Sequence, residues 1–137
     1  MAIVKGILVN DGGAPARIMN YMANTAISAG DAVGLVHVAS GAAKAVPLDS
    51  DDASGVFIGA ALTDASADGE CSVISGRGVQ VNMNCADLNG GVALMADGTT
   101  AGKLITFADG GSPVNTAPVA VTLEDNSAAG LTKCLIL

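Results

Sequence analysis

A strand–turn–strand pattern that occurs twice constrains this chain more than anything else in it. "VFIGAALTDASADGECSVIS" in the middle returns as "APVAVTLEDNSAAGLTKCLIL" at the end. Leu62 aligns with Leu123, 61 residues on, and the same offset pairs Asp64 with Asp125, Ser66 with Ser127, Ala67 with Ala128 and Gly69 with Gly130. Ile58, Ala60 and Leu62 fall on Val119, Val121 and Leu123. Alternate residues of a strand face opposite sides of a sheet, so this period of two marks a sheet with one buried side. The pattern predicts Val119, Val121 and Leu123 inward and Ala120, Thr122 and Glu124 outward. Asp64 and Asp125 are turn-forming: each opens a loop by accepting hydrogen bonds from backbone amides just ahead of it. Gly69 and Gly130 close the loops, where the chain needs a positive φ. Hairpin units are therefore expected near 55–75 and 117–137. A looser echo upstream, "ISAGDAVGLV", sets Ser28, Ala29, Gly30, Asp31 and Val33 against Ser66, Ala67, Gly69, Glu70 and Val73, with one residue deleted.

The remaining segments extend the same texture. Ala2–Val9 reads as a strand or extended arm ended by the turn cluster "NDGGAP". "RIMNYMANTA" fits a short helix or a strand with Ile18 and Met22 on one face, and extended structure is preferred. Strands are expected at Ala32–Val38, within "ASGAAKAVPL", at Val79–Cys85, at Val92–Met95 and at Lys103–Phe107, with "GRG", "DLNGG" and "DGTTAG" as connections. Short strands about ten residues apart with Gly-rich turns argue for an all-β fold. The expectation is a small antiparallel β-sandwich or barrel with an extended N-terminal arm (1–10), a single β domain (11–137) and a duplicated hairpin unit.

Half the residues are hydrophobic, yet there is no Trp, one Tyr and two Phe, while Gly numbers 18. An aromatic side chain buries about 150–250 Å², so stability here must come from many small contacts and from backbone ladders. A core this slender gains from association, since an interface removes apolar surface from water at roughly 25 cal/mol per Å². A homo-oligomer or a partner-bound protein is expected. The net charge is −7, and Lys5, Arg17, Lys44, Arg77, Lys103 and Lys133 are scattered singly. Without a basic stripe or stacking aromatics, nucleic-acid binding is not expected. The acidic balance disfavours anionic membranes, and neither a secretory signal pattern nor an apolar run of about 20 residues is present. Cys71, Cys85 and Cys134 form no CxxC motif and read as three reduced, buried small hydrophobes. A Cys71–Cys134 bridge is the alternative, requiring Cα atoms within about 7 Å.

Candidate chemistry is sparse. His37, the sole histidine, would share a strand face with Val33 and Leu35, half-buried, with no GxSxG turn to present a nucleophile to it. Asp49, Asp51 and Asp52 could ligate Ca²⁺, but "DSDDASGVF" lacks the EF-hand arrangement and reads better as a solvated acidic loop. Asp64 and Glu70 could pass for paired carboxylates, but their counterparts Asp125 and Leu131 break the pair. "GRGVQVN" is not a nucleotide-binding glycine run. The residues point to no catalytic site, cofactor or metal. They point to a protein that is not an enzyme.

From Ala26 to Gly98 the succession "AISAGDAV", "GVFIGAALTDASADGECSVISGRGVQVN" and "NGGVALMADGT" resembles the head decoration (capsid cement) proteins of tailed bacteriophages. The resemblance implies a compact β domain, often a homotrimer, on the capsid exterior of the virion. Synthesised in the host cytoplasm, it would clamp neighbouring copies of the major capsid protein. It also implies an N-terminal arm reaching onto the shell, for which Ile3, Val4, Ile7 and Leu8 are the candidate contacts, by addition of a strand to an exposed edge. Other non-enzymatic virion parts (fibre, spike or tail proteins) and a small ligand- or carbohydrate-binding β module are the alternatives. Only Tyr21, Phe57 and Phe107 could serve the last as aromatic platforms.

Overall fold

The computed structural model describes residues 15–39, 41–48, 56–86, 90–97, 100–107, 118–126 and 128–137. The arm with Ile3, Val4, Ile7 and Leu8, and the loop with Asp49, Asp51 and Asp52, lie outside the described residues. All regular structure among the described residues is β. The first five strands are β1 (Arg17–Met22), β2 (Ala32–Val36), β3 (Lys44–Pro47), β4 (Phe57–Ala61) and β5 (Glu70–Ser75). The next five are β6 (Gln80–Cys85), β7 (Ala93–Ala96), β8 (Leu104–Thr106), β9 (Ala120–Thr122) and β10 (Gly130–Ile136). The ambiguous "RIMNYM" is extended, as β1.

The duplicated hairpin is present, and its register is the same in both copies. Ala60 pairs with Ile74 and Ala61 with Val73; 61 residues on, Val121 pairs with Leu135 and Thr122 with Cys134. The repetition reaches well beyond the hairpin. One sheet runs β1-β5-β4-β2-β3 and the other β10-β6-β8-β7-β9, so each pairing in the first recurs in the second. Ala32–Ala60 and Val33–Gly59 recur as Ala93–Val121 and Leu94–Ala120. Gly34–Val46 recurs as Met95–Ile105, and Met22–Glu70 as Asn84–Leu131. The offset is 61 residues except in β1 to β6, where it is 62, and in β3 to β8, where it is 59.

Five strands alternating in direction around a ring must meet once in parallel. The second unit closes this way, at Cys85–Leu104 between β6 and β8, and forms a closed barrel. The first unit meets at the equivalent place through one parallel bridge, Ala23–Ala45. Closure of this kind removes the open edges that invite aggregation. The looser "ISAGDAVGLV" echo is no third copy. It lies within the first unit, where Ile27 and Ala65 face each other across an antiparallel bridge.

The inward and outward faces are the reverse of the expected ones in the second hairpin. Ala120 and Thr122 are fully buried, whereas Val121 is half-buried and Leu123 is 43% exposed. In the first unit the interior holds Ala23, Ile27, Val33, Ala45, Ala61, Cys71 and Val73. Ala32, Leu48, Ala60, Leu62 and Ile74 are buried too, but in a cluster shared with residues of the second unit. Ala60 and Leu62 thus mark the outer face of the first sheet, which the second unit covers, while Ile58, beyond the register shift at Gly59, packs against the interior cluster. The equivalents Val121 and Leu123 have no such cover.

Candidate interaction surfaces and the junction between units

The units join through backbone. The Asn84 amide donates to Gly30 O (2.8 Å), the Ala32 amide to Gly102 O (2.9 Å) and the Gly102 amide to Leu48 O (2.8 Å). Asp31 sits in this seam. Its Oδ2 accepts from the Ser28 amide at 3.0 Å, and the Asn84 side chain bonds its carboxylate. Gly102, at φ +85°, lies so close that a Cβ there would stand 2.6 Å from Asp31 Cγ. Burial pushes the Asp31 carboxyl above its ordinary 3.8; the bonds from Ser28 and Asn84 oppose this and the Asp64 charge adds to it.

A carboxyl whose folded pKa is raised holds its proton in the native state when the unfolded chain has lost it. Its contribution to stability therefore falls as pH climbs from about 4 through the raised value. Thermal melts of Asp31→Asn and the native chain are expected to diverge over that window, the variant gaining relative stability as pH rises. A pH-independent gap would show that the carboxyl titrates alike in both states.

The turn residues form a duplicated clasp. Asp64 Oδ1 accepts from the Ala29 amide at 2.8 Å, and Asp125 Oδ1 accepts from the Gly90 amide, each reaching 35 residues back along the chain. These are amides of the facing loop, where the sequence pattern suggested amides just ahead. The clasp is backed by a second repeated pair, Ser72 amide to Thr63 Oγ1 and Lys133 amide to Glu124 Oε1, both 3.1 Å. Positive φ in the first loop falls on Asp68 (64°), not on Gly69. A short polar side chain tolerates that conformation, and Asp68 also pairs with Lys44 at 2.7 Å. Being largely solvated, that ion pair contributes about 0–1 kcal/mol. Gly130, at φ 159°, is at the margin of extended backbone.

The sequence candidates among the described residues, His37, Asp64 and Glu70, all lie at the surface. β2 ends at Val36, so His37 lies past the strand and is exposed, not half-buried beside Val33 and Leu35. Asp64 and Glu70 are both exposed, and Asp64 is engaged in the loop clasp. Among the described residues, no three His, Cys, Asp or Glu side chains gather closely enough to hold a metal ion, and no helix is long and apolar enough to cross a membrane.

All three cysteines are free and buried. Cys71 packs inside the first unit, while the pair that meets is Cys85 and Cys134, with Sγ atoms 3.7 Å apart. The Cys85 thiol beside it and burial both push Cys134 upward, which holds it protonated. Ellman's reagent is expected to find no reactive thiol in the native protein and three in denaturant. Fast labelling of the native chain would contradict this burial.

What the described surface does offer is exposed apolar side chains: Ile18, Met19 and Met22 on β1, and Leu123, Leu131 and Leu137 on the second unit. A shallow groove of about 460 Å³ runs beside the first group, lined by Tyr21, Met22, Gly41 and Ala43 among others. Sequence reasoning missed the seam. Its signal was Asp31 standing where the 61-residue repeat has Val92.

No protein-family model matches this chain, and no curated protein matches it. Among solved structures it is similar to the head fiber gp8.5 N base of bacteriophage phi29. The match covers 90% of this chain and 95% of that one, with a TM-score of 0.61 and 10% sequence identity. At that identity the similarity is one of fold.

Proposed function

We propose that this chain is a structural component of a phage virion, seated on the capsid exterior, where it binds the major capsid protein and stabilises contacts between neighbouring subunits. The observation that carries this reading is the shared fold with the phi29 head fiber base along nearly the whole of both chains. The described surface supports it, because exposed apolar side chains on two backbone-joined β units suit a gripping protein. Such a component acts by occupancy, not by turnover. Multiple attachment points turn modest contacts into firm binding, since each further contact is effectively intramolecular. The copies are read as a homo-oligomer, with a trimer favoured.

A second reading follows from the neighbour being a fibre base: the chain seats a fibre on the head without strengthening the shell. Purified protein added to expanded heads that lack it separates the two. A clamp binds and raises the temperature at which heads release their genome, whereas a fibre base binds and leaves that temperature unchanged. Failure to co-sediment with heads would defeat both. Deleting residues 1–10 is expected to leave the circular dichroism spectrum and melt intact and to abolish head binding; full occupancy by the truncated chain would remove Ile3, Val4, Ile7 and Leu8 from the contact.

A further inference from the structure

The seam between the two units is one-sided. The first unit contributes Gly30, Asp31, Ala32 and Leu48, and the second contributes Asn84 and Gly102. Were the units related by a twofold axis, the equivalents Gly91, Val92, Ala93 and Phe107 would meet Met22 and Ala43 within the same chain. They do not, for Met22 is 46% exposed and Gly91 and Ala43 are exposed. The contact is therefore head-to-tail, and it leaves one unused copy of each side: a tail on the first unit and a head on the second.

We propose that a second copy of this chain docks there, the Gly91–Ala93 edge of one copy against the Met22–Ala43 face of the next, repeating between chains the seam found within one. Three observations favour this occupant. The head side is framed alike in both units: the Gly30 amide donates to Ala61 O and the Ala61 amide to Asp31 O, as the Gly91 amide donates to Thr122 O and the Thr122 amide to Val92 O, and the Leu48 amide donates to Ala32 O as the Phe107 amide does to Ala93 O. The groove beside Tyr21, Met22 and Ala43 lies on the tail face. The chemistry at the centre also changes on both sides together. Within the chain the polar Asp31 meets the polar Asn84, and between chains Val92 would meet Met22.

The strand geometry agrees. The Ala23 amide donates to Gly69 O within the β1–β5 ladder. Amides alternate sides along an antiparallel strand, so the Met22 amide points away from β5, as the Asn84 amide points toward Gly30. Two of the exposed apolar residues fall one on each side. Met22 marks the tail, and Leu123, whose equivalent Leu62 is fully buried within the chain, marks the head. A head-to-tail contact closes into a ring or runs on as a filament, according to its rotation.

The test uses purified full-length chain and deepens the homo-oligomer part of the reading above. It needs no heads, so its failure and failure of head attachment are separate results. Analytical ultracentrifugation across a dilution series should show the native chain assembling. Met22→Lys and Val92→Glu should each abolish assembly with unchanged circular dichroism. An equimolar mixture of the two variants should stop at a two-copy complex, because one intact Met22 face and one intact Val92 edge remain between them. Ala43→Glu and Leu123→Glu form a second pair of this kind, should either first variant fold poorly. A native chain that stays monomeric, single variants that assemble as the native chain does, or a mixture that stays monomeric would each overturn the proposal.

Discussion

Leu62→Ala is expected to lower the free energy of unfolding by about 2–5 kcal/mol, and Leu123→Ala by about 0.5 kcal/mol or less. The two leucines occupy the same place in the repeat. Each follows its strand, β4 or β9, by one residue and donates its amide to the partner strand, Leu62 to Ser72 O and Leu123 to Lys133 O, both at 2.8 Å. What differs is the cover. Leu62 is 0% exposed, in the cluster where the two units meet, and truncation there leaves a cavity in addition to the lost transfer energy. Leu123 is 43% exposed and has much less to lose. Urea denaturation followed by circular dichroism, at dilutions below any self-association, measures both. Equal losses would mean that the outer face of the first sheet is not covered as described.

Gly102→Ala is expected to cost about 2–5 kcal/mol. A side chain in the left-handed region costs roughly 1–2 kcal/mol. The new Cβ would also stand 2.6 Å from Asp31 Cγ, so the carboxylate must move off its Ser28 and Asn84 partners. A buried acceptor set adrift in this way costs about 1–3 kcal/mol. The equivalent residue in the first unit, Ala43, is exposed, and Ala43→Gly is expected to cost less than about 1 kcal/mol. Adding Asp31→Ala to Gly102→Ala should recover part of the loss, since the small side chain vacates the contested space. Strict additivity of the two substitutions would locate the strain elsewhere.

The strands were legible in this sequence because its turns are. "SAGD", "GRG", "DLNGG" and "DGTTAG" break the chain where the strands end, and the alternation of Val79, Val81, Met83 and Cys85 marks β6. The hairpin pair was legible because its offset is constant. The full five-strand repeat was not, since the offset shifts to 62 at β1 and 59 at β3, and the aligned side chains differ, as Tyr21 and Met83 do. The sidedness of the second hairpin misled for a physical reason. The outer face of the first sheet is apolar because the second unit covers it, and the copied face keeps that pattern without the cover. Asp31 gives a similar lesson. It reads as one more turn aspartate, and its burial becomes visible only when Asn84 and Gly102 are brought against it from more than 50 residues away.

A cryo-EM map of virions carrying this chain bears most directly on the reading of the molecule as an assembly module of the phage head. The expected map shows paired small β units on the outer surface of the head, with the Gly91–Ala93 edge of one copy seated on the Met22 face of its neighbour. Isolated copies that touch no capsid subunit, or heads bare of this chain, would contradict it.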